Sequence, residues 1–353
     1  MRRKVVVAMS GGVDSSVAAA LLKENGYEVI GITLKLFADK ISCCGGNESL
    51  NAARRVCETL GIRHYYKDAR NLFGKKVISF FKKEYFSGRT PNPCIECNRY
   101  VKFDYLLNFA NGLGADFLAT GHYAIVEKTR EGEFALLRGR DLNKEQSYFL
   151  YPLKRKDLSR IIFPLGRFEK KRTREIANKL NLPCRKVTES RDICFVGNLK
   201  YGRYISRDIP SQKGRILDAG GSFLGYHGGF FNFTIGQRRG IGVASKKRLY
   251  VINIKAAENI VVLGEHKYAF FSRISLKNLN WLIKNHPLEG DNLLAQIRYR
   301  HKPSECKIIQ SGKKMLIEFK TPQFAPAKGQ SVVFYKNDRV LGGGIIEDVG
   351  RGK

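Results

Sequence analysis

The junction at residues 4–24 constrains this chain more than any other feature. A β-rich apolar run, Lys4–Met9, breaks off at Ser10-Gly11-Gly12, and Ser15–Lys23 then carries helical spacing up to a stop at Asn25-Gly26. A strand that ends in two glycines and opens a helix brings bare backbone N–H groups and a positive helix end to one point. The alternation continues downstream. Glu28–Leu36 reads as a second strand. Asn47–Leu60 reads as a helix with Ala52, Ala53, Val56 and Leu60 on one face and Gly61 as its stop. Ile62–Lys67 is a third strand, Asn71–Tyr85 and Asp104–Ala110 are helices, and Asp116–Thr120 is a strand ending in Gly121-His122. Such alternation over about 120 residues predicts an α/β fold, a parallel sheet covered on both faces with ligands at the carboxyl ends of its strands.

The loop Ser10-Gly11-Gly12-Val13-Asp14-Ser15-Ser16 sits at such an end. Its glycines let the backbone approach an anion, its hydroxyls can add hydrogen bonds, and Asp14 is placed where a carboxylate could hold Mg²⁺ beside phosphates. No Lys follows the glycines, and the spacing is not Gly-x-Gly-x-x-Gly, so neither of the two commonest nucleotide loops is present. The loop is similar to the SGGxDS loop of the ATP pyrophosphatases. That class adenylates an oxygen of its substrate so that a nucleophile can displace AMP. The alternative is a Gly-Ser turn that merely caps a helix.

Near residue 200 the composition shifts. Gly becomes frequent and helical periodicity fades. Short alternating segments follow at 250–254, 259–263, 294–299, 307–310, 315–319 and 331–335, with turn residues between them. The expected organisation is a catalytic α/β domain at 1–203, a small linking domain at 204–272 and a C-terminal β-barrel at 273–353. No apolar run approaches the roughly 18 residues that would cross a bilayer, and Gly11, Gly12 and Asp14 interrupt the only signal-like start. A membrane or exported protein is not expected.

The eight cysteines are too sparse for a disulfide scaffold, so a cytoplasmic, reducing setting is the default. There, Cys94-x-x-Cys97 reads as redox, metal or sulfur chemistry. Cys57 falls on the inner face of a helix, and Cys43-Cys44 in a Gly-flanked loop are taken as incidental. Lys and Arg number 63 against 32 Asp and Glu, a net charge of +31 spread along the whole chain. Such a field attracts polyanions, nucleic acid first. The segment 151–186 alone holds 12 basic and three acidic residues and includes Lys170-Lys171-Arg172-Thr173-Arg174. It reads either as a solvated helix face or as a contact for RNA phosphates.

Eight landmarks in order then identify a resemblance across nearly the whole chain: AMSGGVDSS at 8–16, GRTPNPCIECN at 88–98, ATGHYA at 119–124, NKEQSYFL at 143–150, ICFVG at 193–197, TIGQRRGIG at 234–242, IRYRH at 297–301 and LGGGII at 341–346. The sequence resembles the tRNA-specific 2-thiouridylases, the tRNA-uridine 2-sulfurtransferase family. The resemblance implies an N-terminal ATP-pyrophosphatase domain, ATP with Mg²⁺, and 2-thiolation of the wobble uridine. It assigns Ala8, Met9, Ser10, Gly11, Gly12, Val13, Asp14, Ser15 and Ser16 to the nucleotide phosphates, with Leu34 by the adenine and Gly121 beside the nucleotide. Cys97 matches the catalytic nucleophile and Cys194 the persulfide carrier, the two closing a transient disulfide. Asn92, Pro93 and Cys94 match the stretch next to the target base. His122, Lys144, Glu145, Gln146, Arg298, Tyr299 and Gln330 match tRNA-contacting positions in the anticodon region. The implied partners are tRNA and a persulfide donor, either a cysteine desulfurase or a sulfur relay protein.

Cys94 departs from the pattern, because many members carry Asp there as a candidate acid/base. A thiol with pKa near roughly 8.5 takes that role only where its surroundings lower it. Alternatively, Cys94, Cys97 and Cys194 hold a [4Fe–4S] cluster through three thiolates. Two other functions stay open at this level: a small-molecule synthetase of the same ATP class, which needs neither three thiols nor a basic surface, and a non-catalytic tRNA-binding protein, which would not need an intact loop.

Overall fold

The computed structural model describes residues 2–37, 46–187, 193–196, 201–206, 212–310 and 314–351. Its first sheet has five parallel strands, β1 (Lys4–Ala8), β2 (Glu28–Lys35), β3 (Arg63–Asp68), β4 (Phe117–Ala119) and β7 (Ile161–Ile162), in the order β3-β2-β1-β4-β7. Between β4 and β7 the chain makes a hairpin, β5 (Ala124–Lys128) and β6 (Phe134–Arg138). Alternate side chains of β1 serve different cores. Val6 points into one with Ile30, Ile32 and Leu118, while Val5 and Val7 face the helices α1 (Val13–Glu24) and α2 (Asn47–Leu60) with Val17, Ala18 and Val56. That double burial explains why β1 is a continuous apolar run rather than an alternating one. α2 stops at Gly61, which takes the left-handed conformation at φ 58°.

The sheet order reverses beside β1, with β2 on one side and β4 on the other. The crevice at such a reversal is where open α/β sheets bind ligands. The loops after β1 and β4 meet there so closely that a Cβ on Gly121 would lie 2.7 Å from the Asp14 carbonyl carbon and the Ser15 nitrogen.

A second sheet, in the order β10-β11-β8-β9, comprises β8 (Gly214–Asp218), β9 (Phe223–His227), β10 (Leu249–Lys255) and β11 (Ile260–Glu265). The third contains β12 (Phe270–Trp281), β13 (Asn292–Gln296), β14 (Ser304–Gln310), β15 (Met315–Phe324), β16 (Ser331–Lys336) and β17 (Arg339–Gly350). Pairing of β12 with both β15 and β17 closes these six strands into a barrel. The β5–β6 hairpin extends the barrel sheet by pairing Leu137 with Arg339. Tyr148, Tyr151, Val333, Tyr335 and Val340 complete the core beneath Val6. The first sheet and the barrel therefore share apolar interior. Among the described residues, no helix is long and apolar enough to cross a membrane.

Candidate functional site

The loop after β1 is held by its own hydroxyls. Ser15 Oγ donates to the Gly12 carbonyl at 3.1 Å, Ser16 Oγ donates to the same oxygen at 2.8 Å, and the Ser10 N–H donates to Ser15 Oγ at 3.2 Å. Gly11 sits at φ +77°, and a Cβ there would be 2.6 Å from the Ser49 carbonyl oxygen, so only glycine fits. Gly12 caps α1 without any side-chain hydrogen bond. The first-turn amides of Val13, Asp14 and Ser15 have no acceptor within the helix and are left for an anion. Met9 is anchored beneath them, its N–H donating to the Ile32 carbonyl at 2.7 Å and its carbonyl accepting from Thr33 Oγ1 at 2.9 Å. The residues present fit the polyphosphate of a nucleotide.

Asp14 brings in residues that sequence reasoning did not assign. Lys170 Nζ donates to both of its carboxylate oxygens, at 2.6 and 2.8 Å, and Tyr123 Oη donates to Oδ1 at 2.9 Å. Lys170 opens the helix Lys170–Lys179 and is buried with Thr173 and Ala177 along its inner face. The basic run 170–174 is thus not uniformly a surface feature. The periodicity Lys170, Thr173, Ala177 was the available signal, hidden by the neighbouring charges. With both oxygens of its one carboxylate on an ammonium, the loop as it stands does not fit a protein-held Mg²⁺.

The thiols lie on two other segments, 93–97 and 193–196. Asn92 caps the short helix Pro93–Glu96, its Oδ1 accepting from the Cys94 N–H at 3.2 Å, and Pro93 fixes the first turn. Cys97 then begins a wide π-helical stretch, Cys97–Tyr105, a geometry that recurs at functional sites. Cys97 is 7% exposed and lies in an apolar cluster with Phe73, Phe81, Val101 and Phe195, and Cys194 is packed against that same cluster. Phe195 is the anchor. It meets Phe73, Phe81 and Tyr204 edge-on at 5.8, 5.2 and 5.4 Å. Residues 97 positions apart are brought together by one aromatic plug. Leu34 touches both this cluster and the core beneath Ala8, which links the thiols to the nucleotide crevice. Cations cover two rings packed on this cluster: Lys76 and Arg99 lie over Tyr100, and Lys82 over Tyr204. Glu96, between the two thiol positions, is buried, and burial pushes its carboxyl up.

Among the described residues, no group of three or more His, Cys, Asp or Glu side chains is gathered closely enough to hold a metal ion. Cys94, Cys97 and Cys194 in this arrangement therefore do not fit an iron–sulfur cluster. Cys43 and Cys44 lie outside the described residues.

Of the expected RNA-contacting positions outside the segment 90–98, Gln330 touches it directly and Tyr299 reaches it through Phe149. Gln330 Nε2 donates to the Thr90 carbonyl at 2.8 Å, and Asn98 Nδ2 donates to the Phe149 carbonyl at 3.2 Å. Tyr299 packs on Phe149 with centroids 4.4 Å apart, and half-buried Arg298 donates to the Ala325 carbonyl. Gln146 Oε1 accepts from the Tyr123 N–H, and Lys144 is partly exposed beside it. Two positions are interior. His122 lies between Phe103 and Phe163, bonded to Thr120 Oγ1 at 2.7 Å, and burial holds its ring well below the usual histidine range. Glu145 accepts from both the N–H and the hydroxyl of Ser147.

Residues 3–198 match the family described as tRNA methyl transferase HUP domain, 202–265 its PRC-barrel domain, and 271–346 the aminomethyltransferase beta-barrel domain. Curated relatives are similar end to end. The tRNA-specific 2-thiouridylase MnmA of Carboxydothermus hydrogenoformans is 45% identical over 98% of each chain. MnmA 1 of Syntrophus aciditrophicus is 44% identical over 99% of this chain and 94% of its own. MnmA of Caldicellulosiruptor saccharolyticus is 44% identical over 98% and 99%. Among solved structures, a 4-thiouridine synthetase in complex with RNA and ATP covers 54% of this chain and 44% of its own at 17% identity and TM-score 0.38, too distant to argue from. The domain descriptions speak of methyl transfer and the relatives of thiolation.

Proposed function

The chain belongs to the tRNA-specific 2-thiouridylase family, and from that membership we propose that it uses ATP to replace the C2 oxygen of the tRNA wobble uridine by sulfur. The observation that carries this reading is the packing of Cys97 and Cys194 into one cluster whose edge, Leu34, also borders the nucleotide crevice. A small-molecule synthetase has no use for that juxtaposition.

The sequence of steps follows from the chemistry. The first-turn amides of α1 hold the polyphosphate, and the uridine O2 attacks the α-phosphorus, expelling pyrophosphate and leaving a C2–O–AMP adenylate. Cys194 arrives at this point as a persulfide, loaded by a donor protein. The Cys97 thiolate attacks the inner sulfur of that persulfide, breaking its S–S bond and expelling hydrosulfide. Hydrosulfide adds to C2, the C2–O bond breaks and AMP departs. The Cys97–Cys194 disulfide that remains takes two electrons from an external dithiol. Burial of Cys97 keeps water from competing for the adenylate. Mg²⁺, when bound with ATP, would neutralise phosphate charge. No step here runs through it or through a cluster.

Asn92, Pro93, Cys94, Lys144, Gln146, Arg298, Tyr299 and Gln330 are taken as the face that receives the flipped uridine and its neighbours. His122 and Glu145, being buried, are taken as supports beneath that face. Incubation with unmodified tRNA, ATP and a persulfide donor, followed by nucleoside mass analysis, is expected to yield 2-thiouridine with wild-type protein and none with Cys97→Ser or Cys194→Ser. Product formed by Cys194→Ser would overturn the persulfide route. Stoichiometric iron in anaerobically purified protein, lost in Cys94→Ser, would replace that route by a cluster-bound one.

A further inference from the structure

The segment 234–248, which contains the landmark TIGQRRGIG, has no role in the chemistry above. It carries Arg238, Arg239, Lys246, Lys247 and Arg248 and no acidic residue. It is nevertheless a built loop. The Gly236 N–H donates to the Val251 carbonyl at 2.8 Å, and the Val251 N–H donates back to the Gln237 carbonyl at 2.9 Å. The Gln237 side chain ties its interior, accepting from the Thr234 N–H at 3.0 Å and donating to the Arg239 carbonyl at 3.0 Å. Ile241 is buried as an anchor in the core of the second sheet.

The loop borders an open cavity of about 410 Å³ whose wall includes Arg238, Lys246, Lys247 and Arg248. Gly240 and Gly242 also line it, at φ +70° and +78°, and a Cβ on either would meet nothing within 4 Å, so the backbone there is open. Lys247 pairs with Glu265 at 2.9 Å. Among the described residues, Arg238, Arg239, Lys246 and Arg248 have no carboxylate partner. Four uncompensated cations held on an ordered frame repel one another and stay together only at a cost that an anion relieves.

We infer that this loop is a second phosphate-binding surface, which grips the backbone of the RNA substrate away from the target base. The inference rests on the proposed RNA substrate. RNA fits better than an acidic protein because the loop's exposed surface is cationic side chains and bare glycine backbone, with Ile241 turned inward. A protein interface needs an apolar centre, whereas a phosphate backbone needs donors and charge. The guanidiniums of Arg238, Arg239 and Arg248 can each take a phosphate bidentately. The loop also grows directly out of the turn Phe230–Asn232, whose Phe230 and Phe231 pack on the Cys97–Cys194 cluster. RNA held on the loop is therefore held on the element that also packs the thiols.

The test uses full-length protein with Arg238, Lys246 and Arg248 all replaced by Gln, and an unmodified tRNA transcript as probe. None of the three touches the nucleotide crevice, so ATP affinity and the thermal midpoint serve as folding controls. Binding measured across a salt series is expected to weaken on the order of tenfold at low salt. The slope of log K against log salt should fall by about two to three, the loss of three phosphate contacts. An unchanged affinity and slope would overturn the inference. So would slowed thiolation confined to reactions fed by a donor protein rather than by sulfide, since that outcome assigns the loop to the donor. Wild-type thiolation of the same transcript is run alongside. If it fails while binding and slope respond, the chemistry assigned to the thiols is wrong and the RNA surface stands.

Discussion

At the scale of single residues, two buried charges matter most. Lys170 and Asp14 form a pair of which the lysine is the better buried partner, with side-chain exposures of 11% and 35%. Lys170→Met would strand the carboxylate in the phosphate loop, at an expected cost of about 1–3 kcal/mol once the exposure of Asp14 is allowed for. Adding Asp14→Asn should recover part of that loss in urea unfolding. Strict additivity of the two changes would mean that the pair is not coupled. Glu96 poses the opposite case. Burial pushes its carboxyl up, so the folded state holds its proton to higher pH than the unfolded chain does. Its contribution to stability is fully present below the unfolded value and is lost as pH rises through the folded one. Glu96→Gln is therefore expected to raise the thermal midpoint at neutral pH and to have no such advantage near pH 4. A midpoint gain independent of pH would contradict this account. Lys170 was legible in the sequence only as part of a basic run. Its inward direction depends on where the helix Lys170–Lys179 lies against α1, which no local pattern encodes.

At the scale of elements, the site is two loops and a turn. The loops after β1 and β4 touch through Gly121, where any side chain would press on the backbone of Asp14 and Ser15. Gly121→Ala should displace the first turn of α1 and lower kcat/KM for ATP by about 100-fold, with little change in RNA affinity. The turn at 193–196 depends on Phe195. Phe195→Leu keeps an apolar side chain but loses three edge-on ring contacts. It is expected to slow sulfur transfer while leaving pyrophosphate release intact, which single-turnover measurement of the two products separates. Four strands of the first sheet were readable in the sequence, β1, β2 and β4 as apolar runs with glycines nearby, whereas the two-residue β7 was too short to leave a pattern. The hairpin β5–β6 was not, because its strands alternate weakly and gain their stability from β17, about two hundred residues away. The π-helical turn at Cys97–Tyr105 was also invisible, since its residues have ordinary helical spacing.

At the scale of the molecule, the first sheet and the barrel share a core and a polar seam. Tyr148 Oη donates to the Ser331 carbonyl at 2.9 Å, Tyr151 Oη meets Ser331 Oγ at 3.0 Å, and Asn280 Nδ2 donates to the Tyr151 carbonyl. Burial pushes the Tyr151 hydroxyl up to about 12, so it remains neutral. With Val333, Tyr335 and Val340 in the same core as Val6, the two parts should unfold together. A calorimetric scan is expected to show one transition for them, and Ser331→Ala to cost about 1–3 kcal/mol by leaving Tyr151 unpaired. Two resolved transitions would show that the seam is not cooperative. The net charge of +31 belongs to this scale as well. It is a field over the whole surface, with cations gathered locally around the Tyr100 ring and in the loop 234–248.

The sequence by itself determined the kinds of chemistry available. The phosphate loop after β1, the paired thiols at 94 and 97, the third thiol at 194 and the basic excess are local or additive properties, and local geometry or simple counting suffices to read them. Only the tertiary structure decided what those groups face. It packs Cys97 and Cys194 on one apolar cluster with Phe195, sets Lys170 on Asp14 and Gln330 on the Thr90 carbonyl, and buries His122 between Phe103 and Phe163. The physical reason is range. Helix spacing, glycine torsions and charge act within a few residues, whereas each of these pairings spans from about twenty to more than two hundred residues and is fixed only when the apolar cores close around it.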